Sequence, residues 1–263
     1  MTTTLAALIP NGINDLFEWK PIAFKGTIFE INKTALLAFL STICCVIIFV
    51  LWTRRKALIP STTQSMAEMG YEFVEQQIAI PTIGEHHGYG KKYTPFLGVT
   101  FFFIFFMNIW STFPGIYFPA TSRIAIPLFL ALVTWVVYIG VGFKHQGPLY
   151  MWKTCKPSGV PIAILFLVIP IEFVSKVLVR PFSLTVRLVA NMVAGHVLLT
   201  VVAIMTTELL RHESGIIQLV WAPLPFIALV AFTGFELLVA LLQAYIFAML
   251  TGVFIGDSLS EEH

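Results

Sequence analysis

Charged side chains interrupt an apolar stretch between residues 161 and 210, among them Glu172, Lys176, Arg180 and Arg187. A basic side chain at the centre of a membrane costs roughly 2.5–3.5 kcal/mol, so three together would cost on the order of 9 kcal/mol. Ionisable groups kept at such a cost mark ion pathways and proton relays in membrane proteins. This stretch is therefore the first candidate for a functional site.

These charged residues recur at a helical spacing. On a uniform α-helix with about 100° per residue, Lys176 and Arg180 lie about 20° from Arg187. Asn191 lies about 40° away and Glu172 about 60° away, so the five residues are predicted to form one polar stripe. Lipid cannot satisfy such a stripe, which must therefore face water, protein or a counter-charge.

A second polar group lies in the last apolar run, residues 216–255. Glu236 and Gln243 are seven residues apart and share a helix face. His196 points about 180° away from Arg187 and so addresses a different neighbour. If the two apolar runs pair as a hairpin, His196 comes within reach of Glu236. A histidine and a carboxylate in a wet pocket suit a proton relay.

Small residues recur at every fourth position of the last apolar run: Ala240, Ala244, Ala248 and Gly252. This pattern lets helix backbones approach closely. We interpret it as packing within the helix hairpin rather than as a binding site.

Structural explanations compete with functional ones for some of these residues. Lys176 and Arg180 can extend their charged ends to a headgroup layer with Glu172 as partner. For these two residues, this structural explanation and a functional role are evenly balanced. Arg187 resists that explanation, because a long apolar stretch follows it and a tilted helix places it far from either surface. His196 taken alone is typical of a core histidine, and its case depends on Glu236.

A short titratable run, Glu85, His86 and His87, lies in a polar loop. Adjacent histidines in a loop diverge and no third ligand stands at the spacing of a metal site, so we expect a solvated loop. The sequence contains no HExxH, GxSxG or Walker-type phosphate loop. It therefore predicts no catalytic residue, no metal and no cofactor.

The composition is that of a membrane protein. Of 263 residues, 57% are apolar and 11% charged, with a mean hydropathy of +0.86, whereas soluble domains are about a quarter charged. Soluble enzymes are thereby excluded. A net charge of +2 argues against a nucleic-acid partner, and three cysteines, two of them adjacent, cannot form a disulfide framework. The first residues do not resemble a cleaved signal peptide, so we expect internal segments to direct insertion.

The hydropathy pattern predicts an all-α integral membrane protein with a single membrane domain over residues 1–263, about five transmembrane helices and one interfacial amphipathic helix. A span needs about 20 apolar residues. The fourth apolar run would form a helix roughly 75 Å long against a hydrocarbon core of ~30 Å, so it is either two helices or steeply tilted, and the last run raises the same question. The predicted membrane helices are 34–53, 96–113, 124–143, 161–211 and 216–256.

The predicted interfacial helix is 61–80. Its apolar face carries Met66, Met69, Phe73 and Ile78, and another face carries Glu68, Glu72 and Glu75.

The basic residues predict an N-terminus outside and a C-terminus in the cytoplasm, because Lys and Arg accumulate in cytoplasmic loops. With five crossings, the loops 53–60, 84–95 and 144–160 lie inside. Their basic residues outnumber those outside, which are Lys20, Lys25, Lys33, Arg123 and Arg211. The inside set is Arg54, Arg55, Lys56, Lys91, Lys92, Lys144, Lys153 and Lys156.

Two segments, RPFSLTVRLVANMVAGH (180–196) and LLQAYIFAMLTGVFIGD (241–257), resemble subunit a of the F-type ATP synthase membrane sector. The resemblance is dense from about residue 170 onward and looser, though consistent in span order, upstream. An RLxxNxxAG core with a downstream LQAxIF block is specific to that family. The resemblance implies that the last two helices are long, tilted and paired as a hairpin against a rotor.

The resemblance also implies roles for five residues. Arg187 matches the family's essential stator arginine, which faces the ion-carrying carboxylates of the c-ring. Asn191 and Gln243 match its polar companions. His196 and Glu236 match positions lining the half-channel open to the outer face; in several relatives the acid and the histidine are exchanged. No family role is assigned to three secondary candidates, Glu172, Lys176 and Arg180.

The activity implied by the resemblance is that of a non-catalytic stator subunit of a rotary ATP synthase, with two aqueous half-channels for protons. The implied partners are the c-ring, b-type peripheral stalk subunits and membrane lipid, with sodium as an open alternative to the proton. The implied location is the bacterial plasma membrane. The competing hypothesis is a stand-alone secondary transporter or ion channel with its own charged pore, whereas a membrane scaffold would leave the intramembrane charges unexplained.

Overall fold

The computed structural model describes residues 33–53, 62–84, 88–110, 124–148, 150–155, 162–212 and 223–259, and the regular structure in these ranges is helical throughout. The predicted all-α membrane class is thereby confirmed. The α-helices in these ranges are α1 (Lys33–Thr53), α2 (Thr62–Val74), α3 (Ile80–Ile83), α4 (Tyr89–Ile109), α5 (Ala125–Gln146), α6 (Tyr150–Cys155), α7 (Ile162–Val174), α8 (Arg180–His212) and α9 (Pro223–Leu259). Two π-helices, Glu75–Ala79 and Ser175–Val179, join α2 to α3 and α7 to α8.

Within the described ranges, four segments are long and apolar enough to cross a membrane: Thr34–Leu51, Tyr89–Ile109, Ala125–Gln146 and Ile227–Leu259. Large apolar side chains such as Phe39 and Phe129 are mostly exposed on them, as expected of surfaces that face lipid. The predicted fifth span, 161–211, is not among these four and stays a prediction.

The helix α4 begins seven residues before its predicted start at residue 96. Hydropathy marked only its apolar part, whereas the first turns carry Lys91 and Lys92, both exposed. Lys91 also pairs with Glu75, at 3.7 Å between Nζ and Oε1.

The chain from residue 162 to residue 212 forms one helical run with a single π-helix, Ser175–Val179, inside it. It is therefore not two separate helices. The polar stripe rested on a uniform α-helix, and that assumption is wrong across this segment, because a π-helix closes its hydrogen bonds five residues back and so inserts an extra residue. Glu172 is therefore out of phase with Arg187 by roughly one residue.

The segment predicted as an interfacial helix, 61–80, is α2, the first π-helix and α3. Val74 and Ile78 are fully buried against the rest of the protein, whereas Met66 and Met69 are about 70% exposed. The apolar face predicted from Met66, Met69, Phe73 and Ile78 is therefore divided between two sides, partly because the π-helix changes the phase before Ile78.

The helix α9 is the centre of the packing, with contacts to α3, α4, α5 and α8. Its Ala244 and Ile255 are fully buried together with Leu97 of α4. A methyl group added to Gly252 would overlap the side chain of Thr82. The small-residue stripe was interpreted as hairpin packing; at Gly252 that interpretation is wrong, because the close approach is to α3 rather than to α8.

Candidate functional site

Arg187 lies on the exposed side of α8. An adjacent side of this helix, centred about 100° from Arg187, carries Leu184, Leu188 and Met192, each at most 2% exposed, and packs into the protein. Among the residues that the structure describes, no carboxylate lies within 4.0 Å of the Arg187 guanidinium.

An apolar cleft lies beside Arg187. It has a volume of about 650 Å³, runs along α8 and is also lined by Ile124, which precedes α5. Ala190 and Ala194 line it, so its floor is formed partly by small side chains. The remaining lining residues are Val186, Val189, Val193, Val197, Leu198 and Val201.

Arg180, seven residues earlier, has a different environment. Its Nη2 donates to Oδ2 of Asp257 at 2.8 Å, and its guanidinium lies 4.6 Å from the centre of the Phe254 ring. The counter-charge is therefore on α9 rather than at Glu172. Sequence reasoning missed Asp257, because 77 positions separate it from Arg180 and no periodic pattern links them.

Lys176 pairs with Glu172, at 3.2 Å between Nζ and Oε2, and the Lys176 side chain is 16% exposed. The backbone carbonyl of Lys176 accepts a hydrogen bond from the hydroxyl of Tyr138 in α5. The Lys176–Glu172 pair agrees with the structural explanation of these charges, in which Glu172 is the partner. Tyr138 was not among the candidate residues, and its contact depends on how α5 packs against the second π-helix.

Glu236 and Gln243 lie on the buried side of α9, at 5% and 4% exposure. A methyl group added to Gly195 would lie 3.8 Å from Oε1 of Glu236, so α8 and α9 approach each other at this level. The side chain of the next residue, His196, lies outside the described residues, and the His196–Glu236 relay therefore stays a prediction. Asn191 is partly buried on α8.

A second set of polar contacts fixes the end of α9. The hydroxyls of Tyr150 and Ser258 are 2.8 Å apart, and the Gln146 amide donates to the Ser258 carbonyl at 3.3 Å. A methyl group on Gly256 would overlap the backbone carbonyl of Thr82. The end of α9 that carries Asp257 is thus held by α3, α5 and α6.

The predicted absence of a metal site was based on Glu85, His86 and His87, which lie outside the described residues. In the described part of the chain, no group of three His, Cys, Asp or Glu side chains is placed to hold a metal ion. The described residues offer one permanent positive charge, Arg187, on the exposed side of α8, and a buried carboxylate, Glu236, on α9 near Gly195.

Comparison with known proteins adds independent information. A family model described as ATP synthase A chain matches residues 35–256. A protein of Frankia alni named ATP synthase subunit a is 38% identical over 249 residues, which cover 94% of this chain and 84% of that protein. A protein of the same name from Rhodococcus erythropolis is 37% identical, and the match covers 99% of this chain and 95% of that protein. Another from Acidiphilium cryptum is 40% identical, and the match covers 95% of this chain and 97% of that protein.

Proposed function

The chain belongs to the ATP synthase A chain family, and on that premise we propose that it is the stator subunit that couples proton flow to rotation of a c-ring. As a member of this family it is a membrane-embedded subunit of the F-type ATP synthase and works in a complex with other ATP synthase subunits. The proposal concerns the role of Arg187, the two half-channels and the partners that they require.

The observation that carries the proposal is the contrast between two arginines of one helix. Arg180 has Asp257 as its counter-charge, whereas Arg187 faces outward from an apolar surface, without an ion pair to any described residue. A guanidinium that has no ion-pair partner among the described residues, on such a surface, favours a partner outside the chain. The carboxylates of a rotating c-ring supply negative charge at that depth.

The chemistry follows from the permanence of this charge. A guanidinium does not deprotonate in a protein, so a rotor carboxylate beside Arg187 is favoured in its ionised form. Its proton leaves by one aqueous path, and the carboxylate is reprotonated from the other path before it faces lipid. Arg187 also repels protons that would cross directly between the paths. The membrane potential, about 2.3 kcal/mol per charge per 100 mV, then drives rotation.

We assign the path open to the outer face to His196, Glu236 and Gln243, with Asn191 beside Arg187. The burial of Glu236 and the approach of Gly195 to its carboxylate support this assignment. In the proposed topology the N-terminus is outside, the C-terminus is cytoplasmic and the membrane is the bacterial plasma membrane. The proposed partners are the c-ring and b-type peripheral stalk subunits.

The proposal is tested by Arg187→Ala in the assembled complex, with Lys144→Ala as a control that also removes one exposed positive charge. We expect Arg187→Ala to abolish ATP-driven proton pumping into inverted vesicles and to permit a passive proton leak. Lys144→Ala should pump normally. Normal pumping by Arg187→Ala would show that the role assigned to Arg187 is wrong.

A second experiment separates the proposal from a stand-alone transporter. The purified chain is reconstituted into vesicles with and without a c-ring, and proton flux is measured under an applied potential. The proposal requires that the chain alone be inactive, since the moving carboxylates belong to another protein. Selective, saturable flux by the chain alone would favour a transporter or channel.

A further inference from the structure

We infer that Tyr138 and Asp257 are positioning residues that hold the second π-helix, Ser175–Val179, and thereby set the side of α8 to which Arg187 points. The consequence for pumping rests on the proposed function of Arg187. The positioning itself is a statement about helix geometry and can be tested separately.

The second π-helix determines the direction in which each side chain of α8 points relative to α7. An α-helix advances by about 100° and 1.5 Å per residue, and a π-helix holds one residue more than the matching α-helical turn. Conversion of Ser175–Val179 to α-helix, with the chain length unchanged, would rotate α8 by about 100° relative to α7. That angle separates neighbouring residues, so Arg187 would move to the direction that an adjacent residue now occupies.

The hydroxyl of Tyr138 holds the π-helix itself. It donates to the carbonyl of Lys176, inside the π-helix, and Tyr138 is 2% exposed. A buried hydroxyl lacks water as an alternative partner, so its bond favours the backbone arrangement that presents this carbonyl. The first π-helix has a longer and more exposed contact of this kind, in which the hydroxyl of Tyr245 donates to the carbonyl of Gln77 at 3.4 Å.

Asp257 holds the residue that directly follows the π-helix. It accepts the hydrogen bond from Arg180, whose guanidinium also lies over the Phe254 ring. The Tyr150–Ser258 contact and the approach of Gly256 to Thr82 fix Asp257 in turn. A planar guanidinium bonded to a fixed carboxylate and stacked on a ring resists rotation of the helix that carries it.

The test uses the full complex in membrane vesicles, with the native cysteines replaced by alanine and a single cysteine introduced as Leu188→Cys. Leu188 is 1% exposed on α8, so N-ethylmaleimide should react slowly with it. In the double variant Tyr138→Phe/Asp257→Asn we expect this cysteine to become reactive, because α8 rotates. The matched control is Ala244→Cys, which is fully buried on α9 and should stay protected in both backgrounds.

Pumping is measured in parallel without the introduced cysteines. We expect the double variant to lose about tenfold or more of its ATP-driven pumping, because small misplacements of a reacting group have effects of that size. The conservative variant Asp257→Glu, which keeps the carboxylate opposite Arg180, should retain most of it. If labelling changes while pumping persists, the role of Arg187 is wrong and the positioning stands. If labelling stays unchanged in an assembled double variant, the positioning inference is overturned.

A deletion provides a second test that does not depend on weakened contacts. Deletion of Val177 removes one residue from the π-helix and lets the run continue as α-helix with the downstream phase kept. In this background Tyr138→Phe/Asp257→Asn should leave the labelling of Leu188→Cys unchanged. Reactive Leu188→Cys in the deletion variant alone would contradict the inference.

Discussion

Arg180 and Arg187 stand seven residues apart on one helix, yet of the two only Arg180 meets a carboxylate among the described residues. Seven residues are nearly two full turns, so the two side chains leave α8 in nearly the same direction. The two arginines differ in their neighbours: Asp257 of α9 pairs with Arg180, whereas an apolar cleft lies beside Arg187. The same helix thus holds one arginine for structure and presents the other outward.

The Arg180–Asp257 pair should contribute measurably to stability. We expect Asp257→Ala to lower the free energy of unfolding by ~1–2 kcal/mol, a value reduced from that of fully buried pairs because the Asp257 side chain is 47% exposed. The double variant Arg180→Leu/Asp257→Leu should be less affected than the single variant. Thermal unfolding in detergent measures both. The Lys91–Glu75 pair, whose lysine side chain is 76% exposed, is the control, and Lys91→Ala should have little effect.

Alanine at Gly252 or Gly256 should destabilise the packing of α9 on α3. The added methyl group overlaps Thr82, and such overpacking costs about 1–3 kcal/mol. Gly234→Ala, on the same helix, meets no atom within 4 Å and serves as the control. Thermal unfolding and the amount of assembled protein are the measurements.

The two glycines should respond differently to Thr82→Ala. Gly252 is opposed by the Thr82 side chain, whereas Gly256 is opposed by the Thr82 backbone carbonyl. Thr82→Ala should therefore relieve Gly252→Ala in part and leave Gly256→Ala unrelieved. Equal rescue of both would contradict this account of the packing.

Exchange of the acid and the histidine tests the proposed outer path. We expect Glu236→Ala to reduce ATP-driven pumping at least tenfold, a loss of the order typical for one proton-transfer group. The double variant His196→Glu/Glu236→His keeps one acid and one imidazole and should recover part of the activity. Phe235→Leu is the control, because Phe235 is 58% exposed on the same helix. Full activity of Glu236→Ala would remove Glu236 from the path.

Cys155 should react slowly with thiol reagents near neutral pH. Burial raises the pKa of its thiol, and the positive charge of Lys176 partly opposes that rise. Since the thiolate is the reactive form, alkylation should accelerate only as the pH rises above the usual range for a thiol. Lys176→Met removes the opposing charge and should slow the reaction further. The rate of N-ethylmaleimide incorporation against pH measures this, and rapid labelling at neutral pH would contradict it.

Properties that depend on one apolar run could be predicted from the sequence. The membrane class and the helical content follow from hydropathy. The buried Glu236 and Gln243 share one face, as their spacing of seven residues predicts. Such features need only the local helix period.

Properties that depend on a break in that period could not be predicted. The sequence SKVLV has no feature that predicts a π-helix. Because the π-helix contains one extra residue, Glu172 does not point in the direction relative to Arg187 that a uniform α-helix would give. Asp257 and Tyr138 act through contacts with residues 77 and 38 positions away. The small-residue stripe indicated a close approach but not which helix would approach, because a stripe of alanine and glycine fits several partners.

The central position of α9 has a consequence for biogenesis. This helix is the last of the described helices to leave the ribosome, yet α3, α4, α5 and α8 all pack on it. The earlier helices are therefore synthesised before the helix on which they pack exists. Until α9 is synthesised, the other helices lack their contacts with it and are more open to proteolysis and to incorrect contacts.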